Sequence, residues 1–591
     1  MAWGARHAAA GVVATAVLAG AACREPHLVR NGQPEAVIVA PVGATADDAL
    51  AGRELQAYVH KMSGATLKVQ PETQGEPETV VRIGVFGQPP VDAWSGPRPK
   101  RDGFALETRG ETLWIVGGDA RGALYGVYDL LETELGVRWF MPGELGEDVP
   151  SAETIPLPRV QRSGAPAFSA VGGFIWAGGP GAAAWEKRAR ARVGPASAFF
   201  GHNWSNIVAP TPANKAAHPE WFALNEGART NQLCSAHPDV VRVTVEKARQ
   251  FFDRTPDAQV FSISPNDGYG FCQDWRCQAV DQLYGVTDGS LSDRLVHYAN
   301  EVLAELAKTH PDKQVGILAY VDHTRPPQAA RPHPNYVTLI TRMPWAFCHA
   351  HALDDPACDL NSRFVEYVRG WARVTKHVGV YDYYGHFYMF TPWPLVHSIR
   401  RDLPFLRGLG VDRFMSETQQ HWANQGLNFY LGAKLAFDPT LDVDRLLSDY
   451  YQRFYGPAAG PMQRYWERWE AAMTATTAHG HGGYDWLRLF TPALVAETDG
   501  LLREAETLAA RGHEKFQRRV AFARLGFRFT EAWTRMRDHA ARGDWAAAVS
   551  AGEEAIARIQ ETAGTEPQAF WIHLAVSQTR AMMQPYRDAA P

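Results

Sequence analysis

Between residues 166 and 439 short apolar runs alternate with longer amphipathic stretches, a rhythm that predicts parallel βα units rather than hairpins. The expected strands are 171–176, 196–200, a weak one at 232–235, then 260–264, 315–319, 336–340, 378–381 and 413–416. Helical spacing follows most of them, most plainly at 238–252, 290–310, 361–376 and 394–409. Eight such units close a barrel, so a central (β/α)8 TIM-like barrel is expected.

The flanks read differently. Residues 35–156 mix strand patterns at 36–40, 80–85, 102–106 and 113–116 with helical ones at 46–62 and 120–135, which predicts a small α/β domain. A Pro-rich stretch from 150 to 166 links it onward. Residues 440–591 show helical spacing at 442–454, 461–475, 492–510, 513–539 and 545–561, predicting a helical C-terminal domain. The expected fold class is therefore α/β, in three parts, and 591 residues exceed what one hydrophobic core organises.

Residues 1–23 combine a short basic start with an apolar run from Ala8 to Ala22 that is too brief to span a bilayer, the pattern of an export signal. Leu18-Ala-Gly-Ala-Ala-Cys23 resembles a bacterial lipobox and makes Cys23 a candidate lipid-attachment residue; plain secretion after cleavage at Ala22 is the other reading. Both predict an exported chain, either a membrane-tethered periplasmic lipoprotein or secreted, with membrane contact only through that anchor. The 59 basic and 64 acidic residues leave a net charge of −5, so electrostatics give no reason to expect nucleic acid. The 19 Trp, 20 Tyr and 27 Phe include many in loop-like segments, where flat rings suit sugar faces; a bulky core is the alternative use. An oligosaccharide or polysaccharide is the expected partner, with no cofactor.

Barrel enzymes carry their reactive groups just past the C-terminal ends of the strands. Those positions here are polar and aromatic: 201–204, 265–268, 320–323, 342–345, 382–386 and Glu417. Hydrolysing a glycosidic bond needs one carboxylic acid to protonate the leaving oxygen and a second carboxylate to stabilise the oxocarbenium-like centre or activate water. Asp267, Glu417 and Asp382 meet that need, with Asp267 expected as proton donor because Tyr269 and Phe271 are placed to desolvate it. Asp322 lies deeper in its loop and is expected at the substrate. Each acid has a plain alternative as a helix cap or an arginine's partner. His202, His323, His386 and Asn266 are expected to reach sugar hydroxyls, and Trp204, Tyr320, Trp345, Tyr383 and Tyr384 to stack on rings. Arg342 either grips an acidic sugar's carboxylate or braces Asp382 or Glu417.

Cys272 and Cys277 are close neighbours, as are Cys348 and Cys358, and Cys234 is left over. Outside the cytoplasm local disulfides are the expected outcome. Zinc is the alternative, but neither Cys-x4-Cys nor Cys-x9-Cys has the usual two-residue spacing, so no metal is expected.

Several motifs resemble known families. Gly118-Asp-Ala-Arg-Gly-Ala-Leu-Tyr-Gly-Val-Tyr-Asp-Leu-Leu-Glu132 with Gly136-Val-Arg-Trp-Phe-Met-Pro142 resembles the N-terminal domain shared by family 67 α-glucuronidases and family 20 hexosaminidases. His218-Pro-Glu-Trp-Phe-Ala-Leu224, Ser262-Ile-Ser-Pro-Asn-Asp-Gly-Tyr-Gly-Phe-Cys272 with Cys277, and Asp438-Pro resemble the bacterial domain-of-unknown-function family 4838. The resemblance to α-glucuronidases implies a glutamic acid after the fourth strand and paired carboxylates after later ones. Asp267 stands in the first place, a methylene shorter, with Asp382 and Glu417 as partners; the Asp-Glu pair of hexosaminidases is not reproduced by Asn266-Asp267. The expected function is a glycoside hydrolase for a uronic-acid-containing or N-acetylated glycan. A glycan-binding protein that kept the barrel and lost turnover is the alternative, less favoured because a binder needs no surplus of carboxylates.

Overall fold

The computed structural model describes residues 25–590 apart from 42–45, 73–78, 170–173, 177, 193–199, 344–345, 386–389 and 480–488. The export signal and Cys23 lie outside the described residues. Among those described, no helix is long and apolar enough to cross a membrane.

The N-terminal part forms a six-stranded mixed sheet in the order Gln161–Gly164, Phe104–Arg109, Thr112–Gly117, Thr79–Val85, Ala36–Val39, Lys68–Gln70. Helices Ala46–Ser63 and Ala120–Thr133 pack against it. The glycine-rich motif before the second helix has a steric cause. A Cβ at Gly117 would fall 2.1 Å from the Ala123 nitrogen, so only glycine lets the helix start this close to the strand, with Asp119 capping it through the Gly122 N–H.

The central sheet is parallel throughout and curls as a half-barrel, ordered Ile175–Trp176, Arg413–Glu417, Val378–Tyr383, Tyr336–Thr341, Gln314–Ala319, Val260–Ser262. Beyond its last strand, His202 bridges Ser264 in the parallel sense. Six parallel strands among the described residues replace the closed eight expected. Most of the expected strand 196–200 and the start of 171–176 lie outside those residues. The strand expected at 232–235 is a correction: Ala228–Leu233 pairs antiparallel with Phe222–Asn225 in a separate hairpin. Glu226 and Gly227 both have positive φ, 48° and 80°, the geometry of a tight hairpin turn.

Side chains alternate across the curled sheet with period two. Val260, Leu318, Tyr320, Val337, Leu339 and Met415 form a small apolar cluster inside the curve. Phe261, Ile317, Ile340, Val380 and Phe414, one residue out of step, join the large core beneath the helices. Phe200 fills the inside because a Cβ at Gly316 would lie 1.9 Å from its ring. Helices Pro238–Arg254, Ser292–Leu306, Asp359–Val374 and Val396–Gly408 pack with the outer-face core. Helix Trp422–Phe437 is buried nearly all round. It touches the N-terminal part through Lys434 and Glu132, and the C-terminal helices through Asn424 and the Gly526 carbonyl.

The C-terminal region is helical as expected: Val443–Tyr455, Ala459–Thr474, Pro492–Ala509, Glu514–Ala541 and Trp545–Glu561. A further helix at Ile572–Ala589 was not expected.

Candidate functional site

The alternation that fills the inside of the half-barrel also decides which strand-end groups reach its open end. Met415 points inward, so Glu417, two residues on, does too. Tyr381 and Tyr383 face Met415 and Glu417 in register on the next strand. The Tyr381 hydroxyl donates to Glu417 Oε2, and the Tyr381 and Tyr383 rings stack at 5.3 Å and 11°. Gln419 Nε2 lies 3.5 Å from Glu417 Oε1. Burial pushes the Glu417 carboxyl up to about 7; the Tyr381 hydrogen bond opposes that rise, and the negative charge of Asp267 adds to it.

Asp267 stands across the opening in the loop after Val260–Ser262. The Tyr320 hydroxyl donates to its Oδ1 at 2.8 Å, and His202 Nε2 lies 3.7 Å from the same oxygen. His202 Nδ1 sits 2.7 Å from the Pro265 carbonyl, which can only accept, so Nδ1 carries the proton and Nε2 is left towards Asp267. His202 and Tyr320 meet edge to face at 5.2 Å. The expected shielding by aromatic neighbours is not present: the Asp267 side chain is 71% exposed and Tyr269 is 68% exposed. The loop is instead held by Asn266, whose Oδ1 accepts from the Ser205 N–H and hydroxyl at 2.8 Å while its Nδ2 donates to the Asn231 carbonyl at 2.6 Å. Gln232 pairs with the Asn266 backbone on both sides, at 2.8 and 3.0 Å. Asn266 is thus spent on the loop rather than aimed at a ligand.

Asp382 and Arg342 belong elsewhere. The strand runs on to Tyr383, which turns Asp382 to the outer face, wholly buried between sheet and helices. Arg342 Nη1 lies 3.2 Å from Asp382 and 2.8 Å from Asp402, and His349 Nε2 lies 2.9 Å from Asp382. Burial works against ionising Asp382, but the Arg342 charge and the His349 bond hold it down at about 2. Asp382 is an arginine's partner, and Arg342 is a brace rather than a grip on substrate.

Three further expectations are corrected by burial. Trp204 is 1% exposed and lies edge-on to Tyr298 at 6.0 Å, so it lines no wall. Tyr384 is 1% exposed and packs on Phe414 at 5.5 Å. His323 is buried edge-on to Phe271, its pKa lowered to about 3 by burial and then by the charge of His202. Asp322 sits exposed in the turn Val321–His323. Trp345 and His386 lie outside the described residues. Tyr381 was missed as a site residue; its signal was the two-residue spacing to Tyr383 on one strand.

The expected disulfides are not formed either: Cys234, Cys272, Cys277, Cys348 and Cys358 are all free thiols. Cys234, expected to be left over, lies 3.6 Å from Cys277. A cavity of about 390 Å³ opens between half-barrel loops and C-terminal helices, lined by His351, Val396, His397, Glu467 and Glu470 among others. His397 there has both ring nitrogens engaged, with Glu470 at 2.8 Å and the Ala350 carbonyl at 2.6 Å. It is not free to act as acid or base.

The sequence profile described as domain of unknown function (DUF4838) matches residues 141–468, and that of the glycosyl hydrolase family 67 N-terminus matches residues 28–130. No curated protein matches the chain in sequence. Among solved structures it is similar to "A novel family GH115 4-O-Methyl-alpha-glucuronidase, BtGH115A, with specificity for decorated arabinogalactans". The TM-score is 0.59 and the identity 14%, over 94% of this chain and 79% of that one. It also aligns with a "GH138 enzyme targeting pectin rhamnogalacturonan II", at TM-score 0.43 and 9% identity, over 94% of this chain and 99% of that one.

Proposed function

Because this chain belongs to the DUF4838 family and shares the fold of a glycoside hydrolase, we propose that it cleaves a glycosidic bond with Glu417 as general acid and Asp267 as the second carboxylate. The observation that carries this reading is the contrast between two acids at one opening. Glu417 is half-buried and raised to about 7, whereas Asp267 is exposed and receives a hydrogen bond from Tyr320. A carboxyl raised by burial suits the proton donor, and the solvent-exposed carboxyl across the opening is left for the second role. This reverses the order expected from sequence, where Asp267 was the donor.

In the proposed reaction the Glu417 proton passes to the leaving glycosidic oxygen. The Asp267 carboxylate stabilises positive charge at the anomeric carbon or activates water. Tyr320 holds that carboxylate through its hydroxyl. The substrate class is a uronic-acid-containing or N-acetylated glycan, the first of these supported by the GH115 α-glucuronidase likeness. Export, with Cys23 as lipid anchor or after cleavage at Ala22, is part of the same proposal and suits a polysaccharide substrate.

Leaving-group dependence tests the assignment. Glu417→Gln is expected to lower turnover of natural glycans by roughly 10²–10⁴-fold while sparing aryl glycosides whose leaving groups need no proton. Asp267→Asn is expected to slow both. Equal loss on both substrate types for Glu417→Gln removes the acid role. Glycan binding without turnover in the parental protein leaves the binding-protein reading in its place.

A further inference from the structure

We propose that Cys348, His351, Cys358 and His479 form a structural zinc site fastening the loop after strand Tyr336–Thr341 to the C-terminal helical region. Their four ligand atoms all lie within 4.8 Å of one another. Cys348 Sγ is 3.2 Å from His351 Nδ1, and Cys358 Sγ is 3.5 Å from His479 Nδ1. A tetrahedral ion with Zn–S near 2.3 Å and Zn–N near 2.0 Å sets its sulfur and nitrogen ligands about 3.5 Å apart. The spacing therefore fits with little movement.

The tautomer of His351 is an independent observation. Its Nε2 lies 3.1 Å from the Thr476 carbonyl, which can only accept, so the proton is on Nε2 and the Nδ1 lone pair faces the thiols. A carbonyl partner on the far nitrogen is the usual support of a metal-bound histidine. The loop itself is held in shape. Arg342 Nη2 donates to the carbonyls of Cys348 and His351, and Asn361 Nδ2 donates to those of His351 at 2.9 Å and Ala352 at 3.1 Å. The buried Asp382–Arg342–Asp402 network, with no place at the half-barrel's opening, thus pre-shapes the proposed metal loop.

Chemistry and topology select the ion and its role. Two thiolates with two imidazoles favour zinc over hard cations, and four protein ligands leave no open position for catalysis. Both cysteines are buried, and Cys358 is the N-cap of helix Asp359–Val374, where thiolate charge is favoured. The two-residue spacing sought between cysteines is present here as Cys348-x2-His351. The fourth ligand comes from beyond helix Ala459–Thr474, so the ion would close a long loop. Cys234, Cys272 and Cys277 also cluster, but offer three ligand atoms and serve as the control.

The test is the zinc content of the purified, folded chain, measured by plasma mass spectrometry after dialysis with a reductant. One equivalent is expected that disappears in the Cys348→Ser, Cys358→Ser double variant, falls in His479→Ala, and persists in Cys234→Ser. Should the double variant fail to fold, cobalt titration of the unaltered apoprotein decides. Tetrahedral absorption with thiolate charge transfer saturating at one equivalent, and retained in Cys234→Ser, supports the site. The proposal is overturned if the reduced, folded protein binds neither zinc nor cobalt, or if the metal is lost only in Cys234→Ser. It is equally overturned if the native protein carries Cys348 and Cys358 joined as a disulfide.

Discussion

Tyr381→Phe isolates the device that sets the proposed acid. The hydroxyl donates to Glu417 Oε2 and is the influence that lowers this carboxyl against burial and the Asp267 charge, which both raise it. A hydrogen bond to a charged acceptor is worth about 1.5–3 kcal/mol, and one pH unit corresponds to about 1.4 kcal/mol. Removing the hydroxyl while keeping the ring should therefore raise Glu417 from about 7 by roughly one to two further pH units. Because the protonated form is the donor, the alkaline limb of kcat/KM moves up by that amount and the acid limb stays. Stability shifts with a definite sign. A carboxyl raised in the folded state binds its proton more tightly there, so its contribution is full below the unfolded value of about 4.3 and is lost as pH rises through about 7. In the variant that loss extends to higher pH. The assay is the pH profile of hydrolysis, paired with carbon-13 NMR of the labelled glutamate carboxyl. Asp267→Asn, which removes a raising charge, should move the same carboxyl down. A limb that stays in place in Tyr381→Phe, or moves down with it, refutes the electrostatic account of Glu417.

Asp382→Ala leaves Arg342 buried with one carboxylate fewer and should cost about 3–5 kcal/mol in denaturant unfolding; unchanged stability with lost turnover would return Asp382 to the active site. Glu132→Ala strands Arg190 and Lys434 between the N-terminal part and the half-barrel, with a similar cost and unchanged turnover per folded molecule; a selective loss of turnover sinks the structural reading of this part. Gly316→Ala drives a methyl against Phe200 and should cost about 1–3 kcal/mol, read from the melting temperature.

Periodicity carried the fold a long way. The strand patterns at 36–40, 80–85, 315–319, 336–340 and 413–416 all became strands because burial on one face or both imposes the pattern wherever it occurs. The stretch 232–235 misled because so short a strand pattern reads alike in a parallel sheet and in a hairpin; the Glu226-Gly227 turn decides it. Site residues were harder to read, since a strand's end fixes which face its last residues take. Ending the strand at Tyr381 rather than Tyr383 made Asp382 look like a mouth residue, when period two turns it to the helices. The inward position of Glu417 was legible because the strand was read to within one residue of its end. The cluster at Cys348 was not legible, since His479 follows Cys358 by more than a hundred residues and only tertiary packing brings them together.

The most direct test of the central claim is release of new reducing ends by the purified chain. The panel is uronic-acid-containing and N-acetylated oligosaccharides, with Glu417→Gln run beside the parental protein. Cleavage of at least one class by the parent, falling by about 10²-fold or more in the variant, is the expected result. Binding of these glycans with no cleavage at any pH, or cleavage at the same rate in the variant, would contradict it.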